Sequence, residues 1–378
     1  MKKFVAALLA ASLCILPAQA TVAGTPDVNA GSALLMEKET GEILYEMNSH
    51  DRMEPASVTK IMTLLLVMEA IDGGTLSKED TVQVSARAAS MGGSQVYLKE
   101  GEQMTVHDLL KAVAVASGND AAVALAEHLA GSENAFVERM NQRAQELGMT
   151  DTTFLNCTGL PAPGHLTSAH DIALMSRELI LNHPSIREYT TIWMDSLRDG
   201  AFQLSNTNRL VRFYDGCTGL KTGFTAAAGY CMSATAERDG MELIAVVMKS
   251  TTRDIRNETA KSMLDFGFAN YTVLDVKPQQ ALSPVEVILG EQEFVQPVLA
   301  GGGRILVEKA QVNGVETSVT LTTDVEAPVA QGQKLGEMTV TVDGQVRQTI
   351  DIVSAQAVER LTVPGIFKGF LDRFFMAK

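Results

Sequence analysis

Residues 57–71 read SVTKIMTLLLVMEAI, a run that is apolar on almost every side after its first four positions. A surface helix would show one polar face, so this pattern predicts a helix buried at the centre of a domain. The run opens with a serine and a lysine three positions apart, Ser57 and Lys60. On a helix these side chains share a face about 5–6 Å apart, near the N-terminus, where the helix dipole favours developing negative charge.

Strand-like segments lie on both sides of this run. A hairpin is predicted from residues 32–36 through a turn at 40–41 to residues 42–45, and further strands over 220–224, 229–236 and 242–248. Between them, apolar spacing predicts helices over 106–117, 120–130, 135–147 and 171–181, followed by a last helix over 256–266. We therefore expect an α+β domain over residues 29–270, in which the first and last strands pair within one antiparallel sheet faced by helices.

The character of the chain changes after Tyr271. Prolines and the run Gly301-Gly302-Gly303 separate short alternating segments, with turn signals at Asn313-Gly314 and Asp343-Gly344. This pattern predicts a small all-β domain over residues 275–360, without chemistry of its own.

The two ends of the chain predict export and membrane attachment. Two lysines, an apolar stretch and small residues before Thr21 form the parts of a signal peptide over residues 1–20. Residues 361–378 are predicted to form an amphipathic helix that binds the membrane surface, on the extracytoplasmic face of the cytoplasmic membrane; a helix docked on the β domain is the alternative. Its apolar stripe consists of Ile366, Phe367, Phe370, Leu371, Phe374 and Phe375.

Composition argues against several classes of function. The 378 residues carry 31 Lys+Arg against 45 Asp+Glu, a net charge of −14, so no nucleic-acid partner is expected. None of the six histidines has a metal-ligand spacing with another histidine or a cysteine, so neither a metal nor a cofactor is expected. Beyond the signal peptide remain Cys157, Cys217 and Cys231, too few for a disulfide scaffold. A hairpin turning near Ala226 would set Cys231 opposite Lys221, so no bond between it and Cys217 is expected.

Three short motifs fall at positions that could form one site. Ser57-Val-Thr-Lys60 opens the buried helix, Ser117-Gly-Asn119 falls at the break between two apolar helices, and Lys221-Thr222-Gly223 lies in a predicted strand. The first motif offers a nucleophile beside a base, if desolvation and a neighbouring cation lower the pKa of the lysine amine. Lys221 is the candidate cation, and the glycine after it would let a ligand backbone approach the strand.

With these motifs the chain resembles the serine-type D-alanyl-D-alanine carboxypeptidases, which are low-molecular-mass penicillin-binding proteins. The resemblance extends over the whole chain and implies a penicillin-binding-protein/β-lactamase-like catalytic domain. The stretches around the motifs that carry it are Glu54-Pro-Ala-Ser57, Phe154-Leu-Asn156-Cys-Thr-Gly159-Leu-Pro161 and Gly219-Leu-Lys-Thr-Gly-Phe-Thr225.

The resemblance also implies a reaction and roles for the motif residues. The terminal D-alanine would be removed from peptidoglycan stem peptides through an acyl-enzyme on Ser57, which β-lactams would also acylate. Lys60 would take the serine proton, Ser117 would relay it to the leaving amine, and the backbone N–H groups of Ser57 and Phe224 would form the oxyanion hole. A carboxylate-binding role for Arg256 stays open beside that of a surface arginine that caps a helix. Substrate binding is expected from Asn119, Lys221, Thr222, Gly223 and Phe224.

Two alternatives remain at this point. A class A β-lactamase would need an aspartate in place of Gly118 and a glutamate near Asn156, yet residues 151–155 contain none, which predicts slow breakdown of the penicilloyl enzyme. A non-catalytic penicillin-binding scaffold would keep the β domain and the tail but lose the polar residues of the motifs, and all of these are present.

Overall fold

The computed structural model describes residues 24–301 and 303–365. The predicted signal peptide, 1–20, lies outside these residues, and so does the predicted tail helix from residue 366 onwards. Within the described ranges, none of the helices combines the length and the apolar composition needed to cross a bilayer.

The larger domain contains nine strands and nine α-helices within the described residues. Its strands are β1 (Ser32–Glu37), β2 (Ile43–Met47), β3 (Thr81–Gln83), β4 (Gln103–Thr105), β5 (Met194–Leu197), β6 (Phe202–Ser205), β7 (Cys217–Thr225), β8 (Gly229–Arg238) and β9 (Met241–Ser250). Its helices are α1 (Lys60–Asp72), α2 (Ala86–Ala89), α3 (Val106–Ala114), α4 (Asn119–Ala130), α5 (Glu133–Glu146), α6 (Ala169–Asn182), α7 (Arg187–Thr190), α8 (Leu210–Phe213) and α9 (Arg253–Asn270). Short 3-10 helices cover Ala56–Thr59 and Pro184–Ile186.

A five-stranded sheet of order β2-β1-β9-β8-β7 forms the centre of this domain. All neighbouring pairs are antiparallel, and β1 pairs with β9, which places Leu34 opposite Val246. The prediction that the first and last strands meet is therefore confirmed. Strand β7, which carries the third motif, lies at one edge of the sheet.

The two faces of the sheet belong to different hydrophobic clusters. Leu34 and Val246 pack on one side with helices α1, α3, α4 and α6, while the adjacent Leu35 and Ala245 pack on the other side with α9. Strand side chains alternate between faces, so one sheet supports helices on both. Helix α1 is buried from Lys60 to Met68, which confirms the prediction from its all-round apolar pattern.

Two local predictions are corrected. The helix predicted over 106–117 ends at Ala114, because Ser117 has a φ of +62°, in the left-handed region that an α-helix does not continue through. In the β7–β8 hairpin Cys231 lies opposite Gly223, and Lys221 lies opposite Ser233. The predicted register was two residues off because β7 continues to Thr225, which pairs with Gly229.

The β domain follows α9 directly, since its first strand begins at Tyr271, the residue after Asn270. Its strands are β10 (Tyr271–Asp275), β11 (Val285–Ile288), β12 (Phe294–Val295), β13 (Pro297–Leu299), β14 (Arg304–Glu308), β15 (Val315–Leu321), β16 (Asp324–Glu326), β17 (Lys334–Val342) and β18 (Gln345–Ser354). The strands form sheets of the orders β10-β14, β12-β11-β16 and β13-β18-β17-β15. The side chain of Leu306 packs into the α9 cluster of the larger domain, and Lys309 Nζ donates to Phe268 O at 2.6 Å.

Candidate active site

Ser57 lies in the 3-10 helix that leads without interruption into α1. The preceding Ala56 has a φ of +48°, a strained conformation for a residue with a Cβ. Lys60 is the first residue of α1, and its Nζ lies 3.0 Å from Ser57 Oγ. Ser57 is half-buried whereas Lys60 is fully buried, so the hydroxyl is accessible from solvent while the amine behind it is not.

The Lys60 amine is held by neutral acceptors. Besides Ser57 Oγ, its Nζ contacts Asn119 Oδ1 at 2.6 Å and Thr158 O at 2.8 Å. Burial lowers the pKa of Lys60 to about 7, against a smaller opposing effect of Cys157 and Asp120. At neutral pH a substantial fraction of this amine is uncharged and can accept a proton.

The second motif lies in the turn between α3 and α4. Ser117 is buried, and its Oγ accepts from Lys221 Nζ at 2.9 Å. Asn119 is the first residue of α4, and its Nδ2 donates to Gly92 O at 2.7 Å while its backbone N–H donates to Ser94 O at 2.7 Å. The segment 92–94 thus holds Asn119 so that its Oδ1 faces Lys60.

The third motif forms the other wall of the site. Lys221 is 1 % exposed, and burial, with repulsion from Lys60 and Arg256, lowers its pKa well below the ordinary value of a lysine. Thr222 Oγ1 donates to Thr207 Oγ1 at 2.9 Å. The sequence suggested that Lys221 lowers the pKa of Lys60; in the structure burial is the main cause for Lys60, and the repulsion between the amines lowers the pKa of Lys221.

Gly223 is required by a contact within the protein itself. A Cβ at this position would lie 2.8 Å from Pro55 O and 2.9 Å from Ser57 N. Strand β7 therefore packs directly against the segment that carries Ser57, whereas the sequence had suggested a close approach by a ligand backbone. Phe224, the next residue, is 55 % exposed and packs on Tyr230 with ring centroids 4.3 Å apart.

Sequence reasoning missed the way in which the loop after α5 completes the site. Thr158 supplies a carbonyl to Lys60, and Asn156 Oδ1 holds that turn by accepting from the backbone N–H of Gly159 at 2.7 Å. A Cβ on Gly159 would lie 1.8 Å from Ala56 O, so only glycine fits against the segment that carries Ser57. The stretch 154–161 carries part of the resemblance to the family. A residue that contributes only its backbone carbonyl, however, cannot be recognised from its residue type.

His165 joins the same loop to the segment that carries Ser57. Its Nδ1 accepts from the backbone N–H of Leu155 at 3.1 Å, so its Nε2 carries the proton and donates to Thr59 Oγ1 at 2.9 Å. Burial lowers the pKa of His165 to about 4, which keeps the ring neutral. His165 therefore connects the loop with the turn between Ser57 and Lys60.

Arg256 is a buried arginine and does not cap α9. It is 3 % exposed, and its guanidinium donates to Asn257 Oδ1 at 2.9 Å and to Cys231 O at 3.4 Å. Thr252 caps the helix instead, by accepting from Ile255 N. Burial lowers the pKa of Arg256 to about 10, and its charge is close enough to affect Lys221.

Metal ligation has one geometric candidate within the described part of the chain. The ligand atoms of Glu69, Glu178 and His183 lie within 4.8 Å of one another. Arg143 contacts both carboxylates, Glu69 at 2.7 Å and Glu178 at 2.5 Å. The guanidinium already supplies the positive charge, so we regard this group as structural.

Known proteins match the chain along most of its length. A sequence profile described as D-alanyl-D-alanine carboxypeptidase matches residues 19–252, and one described as the C-terminal domain of penicillin-binding protein 5 matches residues 272–360. The D-alanyl-D-alanine carboxypeptidase DacF of Bacillus subtilis is 45 % identical over 322 residues, 84 % of this chain and 82 % of DacF.

Solved structures agree with these matches. Penicillin-binding protein 5 from Haemophilus influenzae superposes with a TM-score of 0.79 at 30 % identity, over 89 % of this chain and all of that one. A penicillin-binding protein from Listeria monocytogenes in its ampicillin-bound form superposes with a TM-score of 0.59 at 35 % identity, over 64 % of this chain and 98 % of that one.

Proposed function

The chain belongs to the D-alanyl-D-alanine carboxypeptidase family and is a serine-type enzyme of that kind; from this premise we propose that Ser57 is its nucleophile. The hydroxyl attacks the carbonyl between the two terminal D-alanines of a peptidoglycan stem peptide and forms an acyl-enzyme. One observation carries this assignment: the buried amine of Lys60, whose pKa is lowered, lies 3.0 Å from the hydroxyl of Ser57, which is half-buried.

Lys60 acts as the general base in its uncharged form. Its two N–H groups point to Asn119 Oδ1 and Thr158 O, which leaves the lone pair for the Ser57 hydroxyl. Proton transfer then creates an ammonium that faces three oxygen acceptors, so the new charge is stabilised by hydrogen bonds where it forms.

Ser117 and Lys221 return a proton to the leaving amine. The Ser117 hydroxyl is bonded to Lys221 Nζ, and Lys60, which is bonded to Asn119 Oδ1, is close enough to lower the pKa of Lys221. When D-alanine leaves, the hydroxyl of Ser117 donates its proton to the amine nitrogen and is reprotonated from a lysine.

Lys221 and Thr222 bind the terminal carboxylate of the substrate. An arriving carboxylate supplies the counter-charge that the buried Lys221 amine lacks, which favours its protonated form. Arg256 strengthens the positive potential from behind β7. The carbonyl oxygen of the scissile bond is stabilised by the backbone N–H groups of Ser57 and Phe224, which Gly223 allows to approach each other, and Asn119 holds the peptide.

β-Lactams acylate the same serine, and the penicilloyl enzyme breaks down slowly. The ampicillin-bound relative supports binding of this class of inhibitor. The family match disfavours both the β-lactamase and the non-catalytic scaffold alternatives.

We also propose that residues 1–20 direct export and that the helix over 361–378 holds the enzyme at the outer face of the cytoplasmic membrane. Residues 29–270 then form the catalytic unit, and residues 275–360 a spacer that lifts it from the bilayer. The basic residues of the tail, in a chain of net charge −14, support this arrangement.

Release of D-alanine from diacyl-Lys-D-Ala-D-Ala tests the proposal. Wild-type protein is expected to release D-alanine and to gain one penicilloyl group on Ser57, detected by mass spectrometry. Ser57→Ala loses both, and Ser117→Ala loses most of the D-alanine release. Ser132→Ala is the matched control, because Ser132-Glu-Asn134 fits the second motif but caps helix α5, where Ser132 accepts from Ala135 N. A folded wild-type protein without an adduct on Ser57 would overturn the assignment.

A further inference from the structure

Tyr97 has an exposed side chain and a strained backbone conformation. Its side chain is 64 % exposed, and its φ is +57°, in the left-handed region that costs an aromatic residue conformational energy. In the catalytic machinery, Ala56 and Ser117 share this feature, with φ of +48° and +62°. Strain of this kind persists where the surroundings hold the backbone in place, and such positions concentrate at functional sites.

The buried carboxylate of Asp120 holds the backbone on both sides of Tyr97. Asp120, the residue after Asn119, is 1 % exposed, and its carboxylate accepts from the N–H of Val96 at 3.0 Å and from that of Leu98 at 3.0 Å. These are the two neighbours of Tyr97. The residue that directly follows the second motif therefore fixes both neighbours of Tyr97, while the Tyr97 ring is exposed.

The side chain of Arg198 also holds this backbone segment. Arg198, in the turn between β5 and β6, donates to Val96 O at 3.0 Å and to Tyr97 O at 3.3 Å. Glu102 orients the guanidinium through a 2.7 Å contact, and the guanidinium also lies 5.7 Å from the centre of the Phe202 ring. The Phe202 ring in turn meets the Tyr97 ring edge to face, with centroids 6.1 Å apart.

Both segments that meet at this ring pair start at the active site. Ser94 bonds to the Asn119 backbone, and Tyr97 follows three residues later, at most about 10 Å along an extended chain. Thr207 bonds to Thr222, and strand β6 with Phe202 lies just before it in the chain. Two short stretches of chain thus join the Tyr97 and Phe202 ring pair to residues of the site, which places the Tyr97 ring near the catalytic cleft.

We propose that Tyr97 is a substrate-binding residue that contacts the stem peptide on the amino side of the D-Ala-D-Ala end, an inference that rests on the proposed function. The terminal dipeptide binds between the half-buried Ser57 and the buried Lys221. Only the part of the substrate that projects from the cleft can reach a ring so exposed. The aliphatic side chain of the preceding diamino acid offers methylene groups that pack on an aromatic face.

The test compares kcat/KM for the pentapeptide L-Ala-γ-D-Glu-L-Lys-D-Ala-D-Ala with that for acetyl-D-Ala-D-Ala. Tyr97→Ala is expected to lower the ratio of kcat/KM for the pentapeptide to kcat/KM for acetyl-D-Ala-D-Ala about tenfold, mainly through a higher KM for the pentapeptide. A fall of this size corresponds to the loss of one contact that contributes a factor of about ten in affinity. Tyr97→Phe, which keeps the ring, is expected to restore most of the ratio. Phe213→Ala is the matched control, because Phe213 is 65 % exposed and packs on Trp193.

Tyr97→Gly separates a contact made by the ring from the shape of the loop. Glycine adopts a φ of +57° without strain, so this variant should melt above Tyr97→Ala and yet show the same low ratio. A wild-type ratio in Tyr97→Gly or Tyr97→Ala, or an equal fall in Phe213→Ala, would overturn the proposal. If wild-type protein released no D-alanine from either peptide, the proposed function itself would fail instead.

Discussion

The position of Lys60 beside Ser57 could be predicted from the sequence motif, but the surroundings of its amine could not. The spacing of Ser57 and Lys60 on one helix face could be predicted, because helical geometry fixes it. The neutral partners of the amine could not, since Thr158 contributes a backbone carbonyl from a loop almost a hundred residues later. Burial of the amine, which the motif alone does not reveal, is what brings its pKa to about 7.

The rate of acylation of Ser57 should therefore increase with pH. Burial disfavours the charged amine, so Lys60 is protonated and inactive as a base below its pKa of about 7 and active above it. The second-order rate constant for labelling by a fluorescent penicillin is expected to rise through that range between pH 5.5 and 8.5. Lys60→Met should lower it about 10²–10⁴-fold. A flat profile in the wild-type enzyme would contradict the role of Lys60 as base.

At the scale of elements, the loop over 154–165 and strand β7 enclose the nucleophile from two sides. Gly159 and Gly223 permit these contacts, because a Cβ at either position would overlap backbone atoms of residues 55–57. Helices and strands with strong periodicity could be predicted to within a few residues. The end of α3 and the register of β7 could not, because the first depends on a left-handed residue at 117 and the second on where a hairpin turns.

His165 should stabilise the loop as a neutral ring. Replacing it by leucine leaves the N–H of Leu155 and the hydroxyl of Thr59 unpaired, so His165→Leu is expected to lower the free energy of unfolding by about 1–3 kcal/mol and to slow penicillin labelling. Glutamine offers one acceptor and one donor, so His165→Gln should lose less of both. The measurements are urea denaturation and the labelling rate.

The pH dependence of this effect also follows from the pKa of His165. The folded-state pKa is about 4, below the ordinary 6.5, so the contribution of the ring to stability is complete above pH 6.5 and is lost as pH falls towards 4. The stability difference between wild type and His165→Leu should therefore be smaller at pH 5 than at pH 8. A difference that grows on acidification would rule out a neutral His165.

At the scale of the whole molecule, the two domains share part of a core. The division itself could be predicted from the change in composition after Tyr271. The contact between domains could not, because it joins residues distant in sequence: Leu306 of β14 is 1 % exposed within the α9 cluster, and Arg304 lies 3.6 Å from Glu39. Arg347 forms a further ion pair with Glu42.

Leu306→Ala should therefore destabilise the larger domain although Leu306 belongs to the other one. The cavity is expected to cost about 2–5 kcal/mol, whereas Val346→Ala, at a position that is 67 % exposed, should change stability by less than about 0.5 kcal/mol. The chain has a single tryptophan, Trp193, which lies in the larger domain, so its fluorescence during urea denaturation reports the unfolding of that domain. An unchanged midpoint in Leu306→Ala would mean that the domains unfold independently.

The pairing of β1 with β9 has a consequence for the timing of maturation. Ser32 lies beside Met248, so the central sheet cannot close until the ribosome has made nearly the whole larger domain. Pairing between segments so far apart in sequence is slow, so the nascent chain stays unfolded long enough for the export that we propose. Antibiotic labelling consequently counts finished molecules, and incompletely synthesised chains escape it.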